Sequence, residues 1–335
     1  MKTQEKPNPD RAVLLEIDEK HQNQRLDNFL CSVCKGVPKS HVFRIIRSGE
    51  VRINRKRAEA KTKLCVGDVV RIPPIQVLEK QTLESLSSSN TVNKAQLLRT
   101  AAEIPVLFED EHLLVVNKPS GMAVHGGSGS SFGLIECIRA LRSETHQDLE
   151  LVHRIDRETS GILIISKKRS ALRILQEQLR ARSWKKYYQT LVLGRWPTTL
   201  RQVDLPLLKT QAGEKEARVF VDENGDKALT KFKIIQEYKS NYSLFTLIQA
   251  QILTGRTHQI RVHTSANKFP IAGDDRYGNF EMNKQLARHG LKRMFLHAAR
   301  LQLVHPASNE TIVLEAPLAP ELNSFLKSLQ AVQSR

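Results

Sequence analysis

The chain has 335 residues, and its 52 lysines and arginines against 35 aspartates and glutamates give a formal net charge of +17. This excess favours a polyanionic partner, with nucleic acid ahead of an anionic membrane surface. No apolar run is long enough to cross a membrane, and the polar first residues lack the apolar core of a signal peptide, so we expect a cytoplasmic protein and exclude a membrane-spanning one.

The first predicted unit is a small domain over residues 13–75, preceded by a disordered tail at 1–12. Apolar residues recur at helical spacing in two segments, and the second segment opens at a proline and ends at a glycine, as helices often do. The predicted elements are a strand at Val13–Ile17, a helix at Gln24–Cys34, a helix between Pro38 and Gly49, and strands at Val51–Ile53 and Gly67–Ile72.

Cysteine usage indicates reduced thiols. The chain has four cysteines, Cys31, Cys34, Cys65 and Cys137, which are too few for a disulfide framework at this length. The first two have the spacing of half a zinc or redox site, but no second pair lies near them in the sequence. Their segment has the apolar spacing of an amphipathic helix, so we expect partly buried, unpaired thiols.

The small domain is strongly basic. Between Arg25 and Arg71 there are twelve lysines and arginines against four acidic residues. Such an excess repels itself without a counter-charge, which favours a clamp for nucleic-acid phosphates over an ordinary solvated surface. The candidate RNA-binding residues of this domain are Arg25, Lys39, Arg44, Arg47, Arg52, Arg55, Lys56 and Arg57.

This domain resembles the S4 RNA-binding module. The matching residues are Arg25-Leu26-Asp27, Pro38-Lys39-Ser40, the run from Arg47 to Asn54, and Gly67-Asp68. The resemblance implies that the domain binds RNA. A polar stretch at 76–102 is predicted to be a linker to a second domain at 103–335.

The second domain is predicted to be α+β with a mixed, mainly antiparallel sheet, because its strand-like runs are not separated by regular helical crossovers. The predicted strands are Ile104–Phe108, Leu113–Val116, Ile162–Ile165, Tyr188–Val192, Phe232–Ile235, Leu244–Leu247 and Leu301–Val304. The predicted helices are Leu134–Arg142, Ser170–Arg182 and a segment around His258–Ala266.

Two motifs in the sequence suggest a cofactor site or a metal site, but their spacing fits neither. The glycines at 125–130 fail the Gly-x-Gly-x-x-Gly register because Phe132 occupies its third position, and no Walker lysine follows. We interpret this segment as a flexible loop near the substrate. His258 and His263 are five residues apart, so their side chains diverge on a helix or a strand. We therefore predict no dinucleotide, S-adenosylmethionine, ATP or metal site.

The segment 151–167 has the most unusual sequence in the chain. Asp156 lies between Arg154 and Arg157, and a predicted Thr-Ser-Gly turn then leads into the apolar run Ile162–Ile165. Charges beside buried apolar residues are costly unless they pair, which favours a functional site. On composition alone, a salt-bridged turn explains the same residues equally well.

A second polar cluster runs from Thr254 to His263. A helix capped by Thr257 would place Arg261 one turn from His258, from where its guanidinium could reach a carboxylate. A single evident site carboxylate argues against the paired carboxylates of a glycoside hydrolase.

With these motifs in place, the second domain is similar to the RluA-type pseudouridine synthases, and most similar to the branch that acts on large-subunit (23S) ribosomal RNA. The motifs that carry the resemblance, in chain order, are Val116–Gly121, His153–Gly161, Lys186–Tyr188, Thr254–His263, Gly273–Gly278, Leu296–Ala298 and His305-Pro306. Together with the S4-like domain, the resemblance covers residues 13–325.

The resemblance implies an isomerase that breaks the N1–C1′ bond of uridine and forms a C5–C1′ bond, without a cofactor. It implies that Asp156 is the essential carboxylate, which attacks the base or the ribose or takes a ribose proton. Arg261 would keep Asp156 ionised by its opposite charge, and Tyr188, favoured over its neighbour Tyr187, would stack on the base. Arg154 would enter the RNA stack after the uridine flips out.

The resemblance also implies ribosomal RNA as the partner, and we expect a monomer. Packing or hydrogen bonding explains His153, His258 and Arg256 at least as well as chemistry does. Two other functions remain open on the residues alone: a non-catalytic ribosome-binding protein that uses the S4-like domain, and a metal-free ribonuclease that uses His153 and His258.

Overall fold

A computed structural model describes residues 11–34, 37, 39–75, 99, 102–126, 133–142, 149–210 and 218–332. The chain divides into two units, Met1–Asn93 and Lys94–Arg335. Most of the predicted tail at 1–12, of the linker at 76–102 and of the glycine loop at 125–130 lies outside the described residues, and the domain bounds remain a prediction. No helix in the described ranges is long and apolar enough to span a membrane.

The first unit packs two helices on one face of a four-stranded antiparallel sheet, with strand order β1-β4-β2-β3. Its elements are β1 (Val13–Glu16), a 3₁₀ turn (Glu19–His21), α1 (Leu26–Val33), α2 (Lys39–Arg47), β2 (Arg52–Ile53), β3 (Lys56–Arg57) and β4 (Val69–Ile72). The apolar faces of both helices and alternate residues of β1 and β4 form one core. Val42, Ile45 and Ile46 are buried, and Gly49 follows α2 in a left-handed conformation, as the sequence predicts.

The second unit is built on an eleven-stranded sheet with the main order β10-β13-β14-β9-β15-β8-β6-β5. In addition, β16 pairs with β15, β17 with β13 and β7 with β8, while β11 and β12 form a separate hairpin. The strands are β5 (Val106–Glu109), β6 (Leu113–Lys118), β7 (Glu150–Leu151), β8 (Ser160–Ser166), β9 (Lys185–Leu193), β10 (Gln202–Asp204), β11 (Leu207–Lys209), β12 (Val219–Val221), β13 (Leu229–Lys239), β14 (Leu244–Ile252), β15 (Leu296–Val304), β16 (Thr311–Glu315) and β17 (Gln330–Ala331).

Five helices accompany the strands of the second unit among its described residues. They are α3 (Leu134–Leu141), α4 (Arg169–Arg180), α5 (Gln259–Ala266), α6 (Phe280–Arg288) and α7 (Pro320–Ser328). The β15–β8 pair is parallel, and the other pairs of the described sheet are antiparallel. This confirms the predicted α+β class and the mixed, mainly antiparallel sheet.

Strand β8 is buried along its whole length, which explains its continuous apolar run. Leu163 and Ile165 pack against α3 on one face, whereas Ile162 and Ile164 pack with Leu175 of α4 on the other. The loop that carries Asp156 leads directly into this strand. A strand that is buried along its whole length therefore anchors the candidate catalytic loop.

The Thr-Ser-Gly turn was predicted wrongly, and two helices were not predicted. The Thr-Ser-Gly stretch is not a turn throughout, because Ser160 and Gly161 already belong to β8. Helices α6 and α7 were not predicted. In α6, Leu286 is the buried residue and the remainder of the helix is polar or partly exposed, so its apolar period is weak.

Candidate active site

The predicted site residues of the second unit meet in one cavity of about 410 Å³. The loop before β8, strands β9 and β14, and the start of α5 form its walls. Asp156, Tyr188 and Arg261 line it together, and the exposed Arg154 also contributes to it. A volume of this size suits one small ligand or one flipped nucleotide.

A buried lysine holds the loop that carries Asp156. Lys118 is 0% exposed, and its ammonium donates hydrogen bonds to the backbone carbonyls of Pro119, Met122 and Arg157 at 2.8–3.0 Å. Burial lowers its pKa to about 7, with a smaller contribution from the charge of Arg293. The Gly121 amide donates to the same Arg157 carbonyl at 2.9 Å. These bonds fix the backbone one residue after Asp156.

The other end of the loop needs a glycine. Gly161 has φ +111°, and a Cβ at this position would lie 2.3 Å from the Ala298 carbonyl oxygen of β15. Beside it, the Ser160 hydroxyl lies 2.9 Å from His297 Nδ1 and accepts a hydrogen bond from Arg293. Close approach of two backbones and a buried polar network thus position the start of β8.

Arg261 has a different main partner from the one that the family resemblance suggests. Its guanidinium donates two hydrogen bonds to Asp274, from Nε at 2.8 Å and from Nη2 at 2.7 Å, and both side chains are almost fully buried. Burial by itself raises the pKa of Asp274, but the hydrogen bonds and charge of Arg261 lower it overall. The Tyr277 ring packs 5.0 Å from the guanidinium carbon. Asp274 and Tyr277 belong to the Gly273–Gly278 motif, but the sequence does not indicate these roles for them.

The remaining face of Arg261 points to Asp156. Nη1 lies 3.8 Å from Asp156 Oδ2, and His258 Nε2 lies 3.9 Å from the same oxygen. These distances are longer than hydrogen bonds but within ion-pair range. Asp274 therefore orients the guanidinium, while its charge remains available to the Asp156 carboxylate.

The predicted Thr257 cap of this helix was wrong. Helix α5 is preceded instead by His258, whose backbone is left-handed with φ +53°. Its Nδ1 is within hydrogen-bond distance of the Tyr277 hydroxyl, at 2.8 Å, and the same hydroxyl accepts a hydrogen bond from the Val219 amide. Burial lowers the pKa of His258, although Asp156 opposes this shift. His258 is thus oriented by Tyr277 with its other nitrogen facing Asp156.

The two adjacent tyrosines separate cleanly in space. Tyr188 extends into the cavity, and burial together with the charge of Asp156 raises the pKa of its hydroxyl. Tyr187 points to the other face of β9, where Arg300 lies 5.7 Å from the centre of its ring. The position of Tyr188 supports the choice between them, and its role remains a prediction.

His153 accepts a hydrogen bond instead of acting as a free acid. Its Nε2 accepts from the Ile164 amide at 3.1 Å, and its ring meets Trp184 edge to face. Burial, with a smaller effect of the Lys186 charge, lowers its pKa to about 3. A neutral, acceptor-bound imidazole fits a structural role better than the acid–base role of a ribonuclease.

This geometry predicts a stability loss in mild acid. Unfolded histidine takes up a proton near pH 6.5, whereas folded His153 does so only near pH 3. Between these values the unfolded chain binds more protons, so the free energy of unfolding falls as the pH falls. Urea unfolding at pH 7.5 and pH 5 should show a smaller loss for His153→Gln, whose amide can still accept from Ile164. The exposed His289→Gln serves as control, and an equal loss in all three proteins would contradict the argument.

His263 lies apart from the cavity chemistry. It is fully buried, with Nδ1 2.9 Å from the Thr230 hydroxyl and Nε2 3.0 Å from the Leu205 carbonyl oxygen. Since Leu205 offers an oxygen, Nε2 carries the proton and donates. Among the described residues, no group of three or more histidine, cysteine, aspartate or glutamate side chains is placed to hold a metal ion.

Most of the predicted RNA-binding residues of the first unit form an exposed basic surface. Six of them carry exposed side chains without a carboxylate partner among the described residues: Arg44, Arg47, Arg52, Arg55, Lys56 and Arg57. Arg25 differs because it pairs with the buried Asp27. The backbone of Lys39 begins α2, and its side chain lies outside the described residues. We name the six exposed residues the basic surface.

Comparisons with known proteins match both units. Residues 112–266 match the family model for RNA pseudouridylate synthase, and residues 24–70 match the S4 domain. The chain is 50% identical over 96% of its length to ribosomal large subunit pseudouridine synthase C of Vibrio vulnificus, covering 97% of that protein. It is 48% identical to the protein of the same name from Escherichia coli, with 96% and 97% coverage.

Solved structures share the fold of the second unit. Human RNA pseudouridylate synthase domain containing 4 matches with a TM-score of 0.57 and 24% identity, over 73% of this chain and 99% of that chain. At this identity the match supports the fold alone. It agrees with the α+β architecture described above.

Proposed function

Because the chain belongs to the RNA pseudouridylate synthase family, it is an isomerase that converts uridine to pseudouridine, and we propose that its substrate is large-subunit ribosomal RNA. The relatives that are 48–50% identical over nearly the whole chain carry this substrate in their names. A cytoplasmic location is proposed with it, since ribosomal RNA is the partner, and the expectation of a monomer remains a prediction. The observation that carries the proposal is Asp156 in the cavity, facing Arg261 and close to Tyr188.

The proposed reaction needs no oxidant and no energy input. The N1–C1′ bond of uridine breaks, the base turns, a C5–C1′ bond forms, and the hydrogen on C5 is lost while N1 gains one. Asp156 acts on the base or the ribose, or takes a ribose proton, and each role requires an ionised carboxylate. The guanidinium of Arg261, held by Asp274, favours that ionised state.

The entry of a uridine requires base flipping, which costs a few kcal/mol of unstacking free energy. Arg154 is exposed at the cavity, one residue before Ile155, which is itself buried in the core under the loop. We propose that the Arg154 guanidinium fills the gap that the flipped base leaves. The Tyr188 ring would then stack on the uracil inside the cavity.

Tritium release tests the proposed activity. Large-subunit ribosomal RNA made with 5-tritiated uridine should lose tritium to water when incubated with the protein, while the RNA keeps its length. Shortened RNA without tritium release would support a ribonuclease. Tight binding with neither change would support a non-catalytic ribosome-binding protein.

The basic surface should make binding salt-dependent. Replacing Arg44, Arg52 and Arg55 by glutamine removes three exposed charges and should make the slope of log K against log salt about 2 to 3 units less steep, since each phosphate contact contributes about 0.7 to 0.9. Filter binding of ribosomal RNA between 50 and 300 mM salt (roughly the range in which such slopes are resolved) measures it. The control exchanges Lys284 and Lys327, exposed lysines of the second unit, for glutamine. Equal slopes for the arginine variant and the wild type would remove the basic surface from the proposed interface.

A further inference from the structure

Lys186 shares the catalytic cavity but has no assigned role. It lies on β9 two residues before Tyr188, so both side chains extend from the same face of the strand, and both line the cavity. Burial increases along β9 from the exposed Lys185 to the buried Leu191. Lys186 therefore lies about 7 Å along the strand from Tyr188, on the side of the cavity mouth.

The ammonium of Lys186 has no hydrogen-bond or ion-pair partner among the described residues, unlike two other buried cations of the second unit. Arg261 is paired with Asp274, and Lys118 bonds three carbonyls, whereas Lys186 makes no hydrogen bond or ion pair to another residue in the described part of the chain. Burial lowers its pKa, as expected for a cation that is partly withdrawn from water. Gly255 leaves space beside it, since a Cβ there would meet Lys186 Nζ at 3.6 Å and no other residue of the described chain within 4 Å.

A half-buried cation without a partner is costly, and a ligand that brings an anion would remove the cost. The phosphodiester is the charged group of an RNA nucleotide. With uracil beside Tyr188 and the ribose beside Asp156, the phosphate is the part of the nucleotide that remains toward the mouth. Arg154, Arg182 and Arg256 also line the cavity and strengthen the positive potential there.

We propose that Lys186 binds the phosphate next to the target uridine once the base has entered the cavity. This rests on the proposed function, because it places a flipped nucleotide at Asp156. Lys186 is then a positioning residue that uses backbone binding to hold the glycosidic bond against the carboxylate. It also favours a nucleotide within RNA over a free nucleoside.

The test pairs protein variants with altered RNA. A short RNA that contains one mapped target uridine is made in three forms: unmodified, with a neutral methylphosphonate on the 5′ side of that uridine, and with one on its 3′ side. Single-turnover tritium release is measured for the wild type, Lys186→Met, Lys186→Arg and Lys185→Met. Lys185 is exposed on the opposite face of the same strand and is the matched control. Filter binding of the same RNAs gives the same comparison if Lys186→Met is too slow to assay.

One of the two methylphosphonates should slow the wild type about 10- to 100-fold, as expected for a lost charge-assisted hydrogen bond. On unmodified RNA, Lys186→Met should release tritium more slowly than the wild type by a similar factor. The same methylphosphonate should reduce the rate of this variant only slightly further. Lys186→Arg should recover the sensitivity, and Lys185→Met should match the wild type. If Lys186→Met remains as sensitive as the wild type to both methylphosphonates, the phosphate contact is wrong and Lys186 contacts the base or only packs. Absence of tritium release from the wild type would overturn the proposed function itself, and this inference with it.

Discussion

Replacing Asp156 with asparagine is expected to abolish tritium release while the protein still folds and binds RNA. Asparagine has nearly the same shape as aspartate but can neither attack as a carboxylate nor take a proton. Loss of proton transfer alone would slow the reaction about 10²- to 10⁴-fold, and loss of a covalent step would slow it further. Among the described residues the Asp156 carboxylate accepts no hydrogen bond, and the Arg261 guanidinium lies 3.8 Å from it, so loss of its charge should cost little stability.

The matched control for this substitution is Glu158→Gln. Glu158 lies two residues further along the same loop and pairs with Arg157 at 3.0 Å on the surface. Its backbone carbonyl, not its side chain, accepts the hydrogen bond from Ser120 that holds the loop. Glu158→Gln should therefore keep nearly full activity. Substantial tritium release by Asp156→Asn would remove the proposed mechanism, whatever the behaviour of the control.

Local patterns in the sequence were sufficient to predict the elements that build the core. The apolar spacing of α2 and the continuous apolar run of β8 both correspond to buried residues in the structure. The α+β class followed from the same reasoning, because strands without regular helical crossovers favour antiparallel neighbours. The polar helix α6 was missed, since tertiary contacts and the Asn279 cap define it more than its apolar period does.

The site was only partly predictable. Asp156 and Arg154 could be identified from the local sequence, because charged residues next to a buried apolar strand are costly unless they pair. Arg261 and Asp274 are 13 residues apart. They meet because the intervening segment folds back, and nothing in the sequence predicts that path. The adjacent carboxylates of Asp274 and Asp275 were the available signal, but the sequence does not show that Asp274 is buried against Arg261 whereas Asp275 is exposed. Lys118 was equally hidden, because its three acceptors are backbone carbonyls.

Breaking the Arg261–Asp274 pair is the second change for which we expect a large effect. It should lower both the stability and the activity, for two different reasons. Arg261→Met leaves Asp274, which is 0% exposed, without its main counter-charge. Removing one partner of a buried pair costs about 3 to 5 kcal/mol of unfolding free energy. Tritium release should fall as well, because Asp156 then lacks the guanidinium at 3.8 Å.

The double variant Arg261→Met with Asp274→Asn distinguishes the two effects. Asparagine remains able to accept, on its carbonyl oxygen, the hydrogen bonds that the Arg276 and Tyr277 backbone amides donate to the Asp274 side chain, so no buried charge and no unpaired backbone amide remains. Urea unfolding should show that most of the lost stability returns, because a buried ion pair can be replaced by neutral groups at little cost. Tritium release should stay low, since the positive charge facing Asp156 is still missing. If activity returned together with stability, the guanidinium would serve only to hold the fold, and Asp156 would have to stay ionised without it.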